Sequence, residues 1–418
     1  MLGVETMKKI VILSCLLSPL SFASQTLFNP IVSSTSTSSS VSNPASDYLT
    51  SNQDITGLVL IEPLAIGYEL GDVNSFIDQI DDLQDILENG VSSTAEANAA
   101  EEKFDTFLKN AGEDGFVKVS GSGSLVVFPS LYTNQREGVF TFDFNYGGMT
   151  KLGLLDDPDG VKINGSTGLT TYSGIYEQYV TVKNFALGYR ETLWTNGYSE
   201  LLIGSRINLN EMRFLRRFST IEYQGEDEIE GEVTSTNIGI DVGVLWAINS
   251  FSLGVTVNNI NEPKYDLGDL TCDASSASGF FDENCDAFTN LSATGDVDFT
   301  GRYVAERQAK VDFFLSSPGN ALNIQGSYDI NGITDATGDE YQWAEIALSY
   351  LSDSFFVPGL RVGYKKNLIG SELSYINAGY TFFKYLNFDS GMSLDTVSYD
   401  GANYPRSLYA NLGLALAF

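Results

Sequence analysis

Asn237-Ile238-Gly239-Ile240-Asp241-Val242-Gly243-Val244-Leu245-Trp246-Ala247-Ile248-Asn249-Ser250-Phe251-Ser252-Leu253-Gly254-Val255-Thr256-Val257-Asn258 is the stretch on which the fold turns. Ile238, Ile240, Val242, Val244, Trp246 and Ile248 recur at every second residue, and Asn237, Gly239, Asp241 and Gly243 fill the other face. Successive side chains of a strand point to opposite faces, so this is a strand with one apolar face and one polar or small face. Phe251, Leu253, Val255 and Val257 repeat the pattern after only Asn249-Ser250, which predicts a tight hairpin.

The same period runs outward along the chain. Phe140, Phe142, Phe144 and Tyr146 alternate with Thr141, Asp143 and Asn145; Leu322, Ile324, Tyr328 and Ile330 alternate with Asn323, Gln325, Ser327 and Asp329; Leu386, Phe388, Met392 and Leu394 alternate with Asn387, Asp389 and Ser393. About fourteen strands are expected, at 56–69, 115–128, 137–147, 174–190, 198–209, 234–249, 251–260, 301–316, 320–331, 340–351, 355–364, 371–383, 385–395 and 406–418. Alternation alone would fit a soluble sandwich. The connections decide otherwise, because short ones alternate with long ones at 70–114, 148–173, 210–233, 261–300, 332–339, 365–370 and 396–405. Short turns at one end and long loops at the other are the pattern of an all-β transmembrane antiparallel barrel.

The amino terminus carries an export signal. Met7, Lys8 and Lys9 open it, the apolar run Ile10–Phe22 follows, and Ser21-Phe22-Ala23 reads as a cleavage site; Met7 is the expected start and residues 1–23 the signal peptide. Cys15 does not read as a lipoprotein cysteine, because the apolar run ahead of it is very short. Beyond Phe22 no run of about 18 apolar residues exists, so a membrane-resident product must be a closed barrel. Together these place the mature chain in the outer membrane of a Gram-negative bacterium, with lipid and the barrel-assembly machinery as its partners. The ending Asn411-Leu412-Gly413-Leu414-Ala415-Leu416-Ala417-Phe418 strengthens this. Asn411, Gly413, Leu416 and Phe418 resemble the assembly signal of bacterial outer-membrane barrels, a final strand that offers its edge before closure.

Residues 24–55 are rich in serine, above all in the run Ser33–Ser42, and build no core; the barrel is expected over 56–418. Residues 73–110 break the strand pattern. Phe76, Ile77, Ile80, Leu83, Ile86 and Leu87 fall at helical spacing, and Phe104, Phe107 and Leu108 continue it, so a helical hairpin is expected after the first strand, as a lid, a docking surface or a plain surface hairpin.

Function classes narrow from composition. The net charge of −31 argues against nucleic acid. Acid concentrates in the long loops, at 225–232 and at Asp335, Asp339 and Glu340, which reads as solvated rim, although oxygen-rich loops also suit calcium. The chain has no histidine, which removes serine–histidine triads and histidine metal sites; neither a catalytic site nor a cofactor is expected. Cys272 and Cys285 share one long loop of an exported chain and are expected to form a disulfide, with Phe280 and Phe281 presented inside it.

Several stretches carry a family resemblance: Asn43-Pro44-Ala45, Leu58-Val59-Leu60, Asp78-Gln79-Ile80-Asp81-Asp82-Leu83-Gln84-Asp85, Gly254–Ile260, Gly359–Leu368 and Gly370–Tyr375. The chain resembles the conjugal-transfer TraF-like (plasmid transfer operon) barrel proteins, which are similar to FadL-type transporters of long-chain fatty acids and hydrocarbons. The resemblance implies about fourteen strands, an amino-terminal hatch to which Asn43, Pro44 and Ala45 would belong, and passage of a hydrophobic small molecule. The serine-rich 24–55 lacks the glycine-and-alanine run that usually precedes the hatch motif. The other readings are a non-transporting surface protein for cell-envelope or conjugation-related contact and a general diffusion porin.

Overall fold

A computed structural model describes residues 43–45, 57–71, 94–129, 138–157, 160, 162–164, 168–220, 229–270, 272, 280–294, 301–318, 321–350, 352, 355–383, 386–399 and 402–417. The chain forms one closed antiparallel barrel of fourteen strands. They are β1 Gly57–Leu70, β2 Phe116–Pro129, β3 Val139–Leu155, β4 Gly174–Thr195, β5 Ser199–Thr220, β6 Ile229–Ile248, β7 Phe251–Asn258, β8 Gln308–Ser316, β9 Leu322–Asp329, β10 Trp343–Tyr350, β11 Gly359–Asn367, β12 Ser374–Phe382, β13 Leu386–Ser393 and β14 Ser407–Ala417. Each pairs with the next, and β14 returns to β1 in register Leu60↔Ala415 and Gly67↔Tyr409. Closure leaves no ladder edge exposed to lipid.

The alternation sorts the two faces as the sequence predicts. Phe185, Leu187, Ile207, Leu209, Val242, Val244, Leu253, Val255, Ile346, Leu348, Val362 and Ile376 all point outward and are exposed. The intervening Thr141, Asp143, Arg206, Asn208, Asp241, Asn323, Arg361, Asn377 and Asp389 point inward and are buried. A continuous apolar belt around a closed barrel belongs in hydrocarbon, and the protein is an outer-membrane barrel. The Asn249-Ser250 hairpin forms as expected, with Ile248 opposite Phe251. Asn249 takes a left-handed φ of 47°, which asparagine tolerates better than most residues.

The wall is uneven in height. Strands β4, β5 and β6 run 22, 22 and 20 residues, whereas β7 to β13 run eight or nine. The expected ends at 147, 190 and 209 and the start at 234 therefore fell short. Charge read as loop stands on the outward face of continuing strands, in cross-strand pairs. Lys183 meets Glu211 at 2.7 Å, Arg213 meets Glu232 at 2.8 Å and Arg217 meets Glu230 at 2.8 Å. Opposite charges directly across a ladder favour the paired strands over loop. The strand expected at 301–316 also divides: β8 begins at Gln308, and Arg302–Val304 pairs instead with Lys264–Asp266 above the barrel.

Helix α1, Thr94–Asp114, buries Ala100, Phe104, Phe107 and Leu108 and packs against the end of β3 and the strand Lys162–Asn164. It is the second half of the expected insert; the first half, the signal peptide, most of 24–55, the acidic 225–228 and Phe418 lie outside the described residues. Helix α2, Phe280–Thr294, was not anticipated. Its Ala287, Phe288 and Leu291 pack on Tyr176, Phe218, Ile229 and Leu270, so it leans on the lumen-side face of the tall wall. Cys272 and Cys285 bond and hold it there, with Cα atoms 5.6 Å apart. Asn284 accepts hydrogen bonds from the amide and hydroxyl of Thr220 at the end of β5, both at 2.9 Å. The side chains of Phe280 and Phe281 lie outside the described residues.

Candidate functional site

The lumen has a lower part, toward the short turns, and a top level. Toward the short-turn end, Asn43, Pro44 and Ala45 are fully enclosed against the inner wall. Their seat is a glycine trench. A Cβ on Gly204 would strike the backbone of Pro44 and Ala45, one on Gly243 would strike the Asn43 amide, and one on Gly254 would lie 2.7 Å from Asn43 Nδ2. Gly204 and Gly243 are direct partners across β5 and β6. Asn43 Oδ1 accepts the Ala45 amide at 2.9 Å, closing a local turn, while Nδ2 donates to the Val244 carbonyl at 3.4 Å. The carboxylate of Asp312 bonds to the same side chain. Ala45 packs on Leu202 and Leu245. The structure thus brings the motif singled out in the sequence onto the wall of β5–β7.

The rest of the lower part is polar. Arg361 bonds to Asp389 at 2.9 Å and to the hydroxyl of Thr381, and Tyr409 donates to Asn377 at 2.5 Å. Lys310 lies 3.8 Å from Glu345, whose other contact is the Ser327 hydroxyl at 2.6 Å. Asn411 and Gly413 face inward here, with the Asn411 amide making no hydrogen bond to a described residue. Leu416 pairs its backbone with Val59.

The top level is apolar, although it stands on the lumen side where alternation elsewhere places polar groups. Met149, Met212 and Phe214 from the tall wall meet Trp343, Tyr375 and Tyr409 from the low wall. Loops complete the cluster with Tyr265 and Tyr303 from the hairpin before β8 and with Ala336 and Tyr341 from the stretch before β10. Tyr341 stacks on Trp343 at 5.7 Å, and Trp343 meets Tyr375 edge-on at 5.9 Å. Burial pushes the phenols of Tyr303 and Tyr341 up, so these loop tyrosines stay neutral.

Charge borders this cluster: Glu69 accepts a hydrogen bond from the Tyr375 hydroxyl at 3.5 Å, Lys118 lies over the Tyr341 ring, and Lys365 reaches in from below. The Lys365 ammonium lies 3.6 Å from the centroid of the Trp343 ring and makes no hydrogen bond or ion pair with a described residue. Lys365 is 2% exposed and Trp343 7%, and the Trp343 Nε1–H also lacks an acceptor. Two buried donors side by side under an aromatic roof can take an oxygen acceptor from a bound molecule.

A further departure from the sequence reading concerns Asp335 and Asp339, expected on the solvated rim. They are largely buried, because Lys118 and Lys151 turn inward to meet them. Burial raises the Asp339 carboxyl, but the two lysines outweigh it and hold it below the ordinary carboxylate value. A group depressed in this way contributes its stability fully above its unfolded value and loses it only as pH falls through the lowered one. Amide exchange over 333–341, corrected for intrinsic rate, is therefore expected to be the same at pH 5 and pH 7 and to quicken only below about pH 4. Quickening between pH 7 and pH 5 would contradict this assignment.

Sequence reasoning passed over Trp343, Tyr409 and Lys118, and met Lys365 and Tyr375 only as members of the stretches that carry the family resemblance. A signal was present for some: Tyr375 shares its strand face with Asn377 and Gly379, an aromatic at a lumen position. The join of Asp335 and Asp339 to Lys118 and Lys151 spans more than 180 residues and left no local trace.

Among solved structures, the chain is similar to the TodX deltaS2S3 mutant monoaromatic hydrocarbon channel, at 10% identity and a TM-score of 0.44 over 90% of this chain and 92% of that one. A Pseudomonas aeruginosa FadL homologue gives 13% identity and 0.41 over 90% and 93%, and the Pseudomonas putida toluene transporter TodX gives 10% and 0.39 over 90% and 91%. No curated protein matches the chain. The family model that matches, over residues 40–329, is described as F plasmid transfer operon, TraF, protein.

Proposed function

We propose that this chain, which belongs to the F plasmid transfer operon TraF protein family, is an outer-membrane channel admitting hydrophobic small molecules of the long-chain fatty acid or hydrocarbon type. The observation that carries the reading is the aromatic cluster on the lumen side of a membrane barrel. Inward positions of such barrels are polar because they face water, and here Met149, Met212, Phe214, Trp343 and Tyr375 make them apolar on both sides of the mouth. An apolar level between a polar lumen and loops suits a ligand that must leave water briefly and be released again. Lys365 and the Trp343 Nε1–H at its floor favour a molecule with an apolar body and an oxygen-bearing head. Asn43-Pro44-Ala45, seated on the wall below, serves as the hatch in this reading.

Organic extraction and mass spectrometry of the protein purified from its own membranes, with an unrelated barrel as control, tests the class. Enriched long-chain acids or hydrocarbons support it, and an extract equal to the control removes it. Lys365→Met then tests the floor. Oleate binding should weaken by roughly tenfold or more, since a charge-assisted hydrogen bond is lost, while hexadecane binding should hold. Equal binding of oleate by parent and variant would remove Lys365 from the site.

A second reading, a non-transporting surface protein for cell-envelope or conjugation-related contact, is favoured by the tall wall of β3–β6 with α1 against it. Deleting α1 while uptake persists and mating or adhesion fails would select that reading.

A further inference from the structure

Residues 330–342 join β9 to β10, yet they are tied to the far side of the barrel. Their anchors are Lys118 on β2 and Lys151 on β3, and β2 stands seven strands from β9 in a ring of fourteen. The segment therefore crosses the mouth. Its tip is pre-shaped: Asp335 Oδ1 accepts the amides of Thr337 at 2.8 Å and Asp339 at 3.1 Å, and the Asp335 amide donates to the Asp339 carbonyl at 2.8 Å. That turn presents both carboxylates together. Lys118 donates to Asp335, to Asp339 at 2.6 Å and to the Tyr341 hydroxyl at 3.1 Å; Lys151 donates to Asp339 at 2.5 Å and to the Thr337 carbonyl at 3.4 Å. Under the tip, Ala336 and Tyr341 complete the aromatic cluster.

We propose that residues 330–342 are a strap that closes the mouth over the aromatic cluster, and that the four charges of Lys118, Lys151, Asp335 and Asp339 are the lock that holds it shut. Two ammoniums meet two carboxylates in the closed state, and buried Glu69 stands across the ladder from Lys118. Burying two ammoniums and two carboxylates costs much of what their attraction returns, whereas an open strap would hydrate all four. The closed and open states thus lie close in free energy, as a moving element requires. Neutralising one member tips the balance, because its partner is left buried and unpaired. The strap also supplies part of the site it covers, through Ala336 and Tyr341, so opening both admits a ligand and loosens its grip. The gating role rests on the transport reading; the closure does not.

The test uses the full chain in intact outer membranes. Ala336, 8% exposed beneath the tip, is changed to cysteine, Ala336→Cys, and labelled from outside with a membrane-impermeant maleimide. Cys272 and Cys285 are bonded and do not compete. Adding Asp339→Asn or, separately, Lys151→Met is expected to raise the labelling rate roughly tenfold or more, the effect of removing one charge-assisted pair. Asp339 and Lys151 are 15% and 19% exposed, less buried than Lys118 and Asp335, and heat-modifiable gel mobility verifies that each variant still forms a barrel. Amide exchange over 333–341, in protein without the cysteine, should quicken by a similar factor. Unchanged labelling and unchanged exchange in both folded variants would overturn the strap. Labelling reads the strap whether or not the barrel passes a ligand, so failure of the strap and failure of the transport reading are separate results.

Discussion

Replacing Gly243 with valine is expected to drive Asn43–Ala45 off the inner wall while the barrel still closes. The trench seats a backbone segment, and a Cβ at this position meets the Asn43 amide and lies 3.1 Å from Pro44 Cδ. Gly204→Val should act the same way, because its Cβ would meet the Pro44 carbonyl and, at 2.6 Å, the Ala45 nitrogen. At Gly204 the obstacle is backbone, which cannot swing aside as a flexible side chain can; at Gly243 it is the fully buried Asn43 amide and the Pro44 ring, and overpacking of this kind costs about 1–3 kcal/mol or more. Valine is at the same time a good strand residue, so β5 and β6 should keep their ladder. Labelling of an Ala45→Cys thiol in the purified protein should rise by roughly ten- to a hundredfold in either variant. Gly153→Ala, where the added carbon meets nothing within 4 Å, is the matched control. If the segment is the hatch, conductance in planar bilayers should rise together with labelling. Slow labelling in both valine variants would mean that the trench does not hold the segment.

Arg361→Met should destabilise the barrel by about 3–5 kcal/mol, because it leaves a buried carboxylate without its partner. Arg361 is 2% exposed and spends its guanidinium on Asp389 at 2.9 Å, on the Thr381 hydroxyl and on the Tyr380 carbonyl at 3.3 Å. The side chain reaches Asp389 by lying across Gly379, where a Cβ would come within 2.9 Å of Arg361 Nε. The double variant Arg361→Met with Asp389→Leu should recover most of the loss, since an apolar pair of similar volume often equals a buried ion pair. Denaturant unfolding in liposomes, followed by tryptophan fluorescence, measures both. A single-variant loss under about 1 kcal/mol would show that lumen water hydrates Asp389 well enough alone.

Fold class and strand parity were legible because one physical fact, the period of two, repeats along most of the chain. Strand ends in β3–β6 were less legible. Glu211, Arg213, Arg217, Glu230 and Glu232 look like loop residues until their cross-strand partners are known. The disulfide followed from two cysteines in one loop, but the helix it holds did not, since Ala287, Phe288 and Leu291 make a short stripe that gains meaning only against Phe218 and Ile229.

The sequence by itself determined that this chain is a membrane barrel, because strand alternation and the alternation of short and long connections are properties of neighbouring residues, and an open sheet cannot sit in lipid. It also singled out Asn43-Pro44-Ala45 and Arg361 as parts of recognisable motifs. Only the tertiary structure decided what lies inside. The meeting of Trp343 with Lys365, the glycine trench under Asn43, and the strap from β9 to Lys118 join residues distant in the chain. Their contacts depend on the curvature of a closed ring, which brings opposite strands face to face across the lumen.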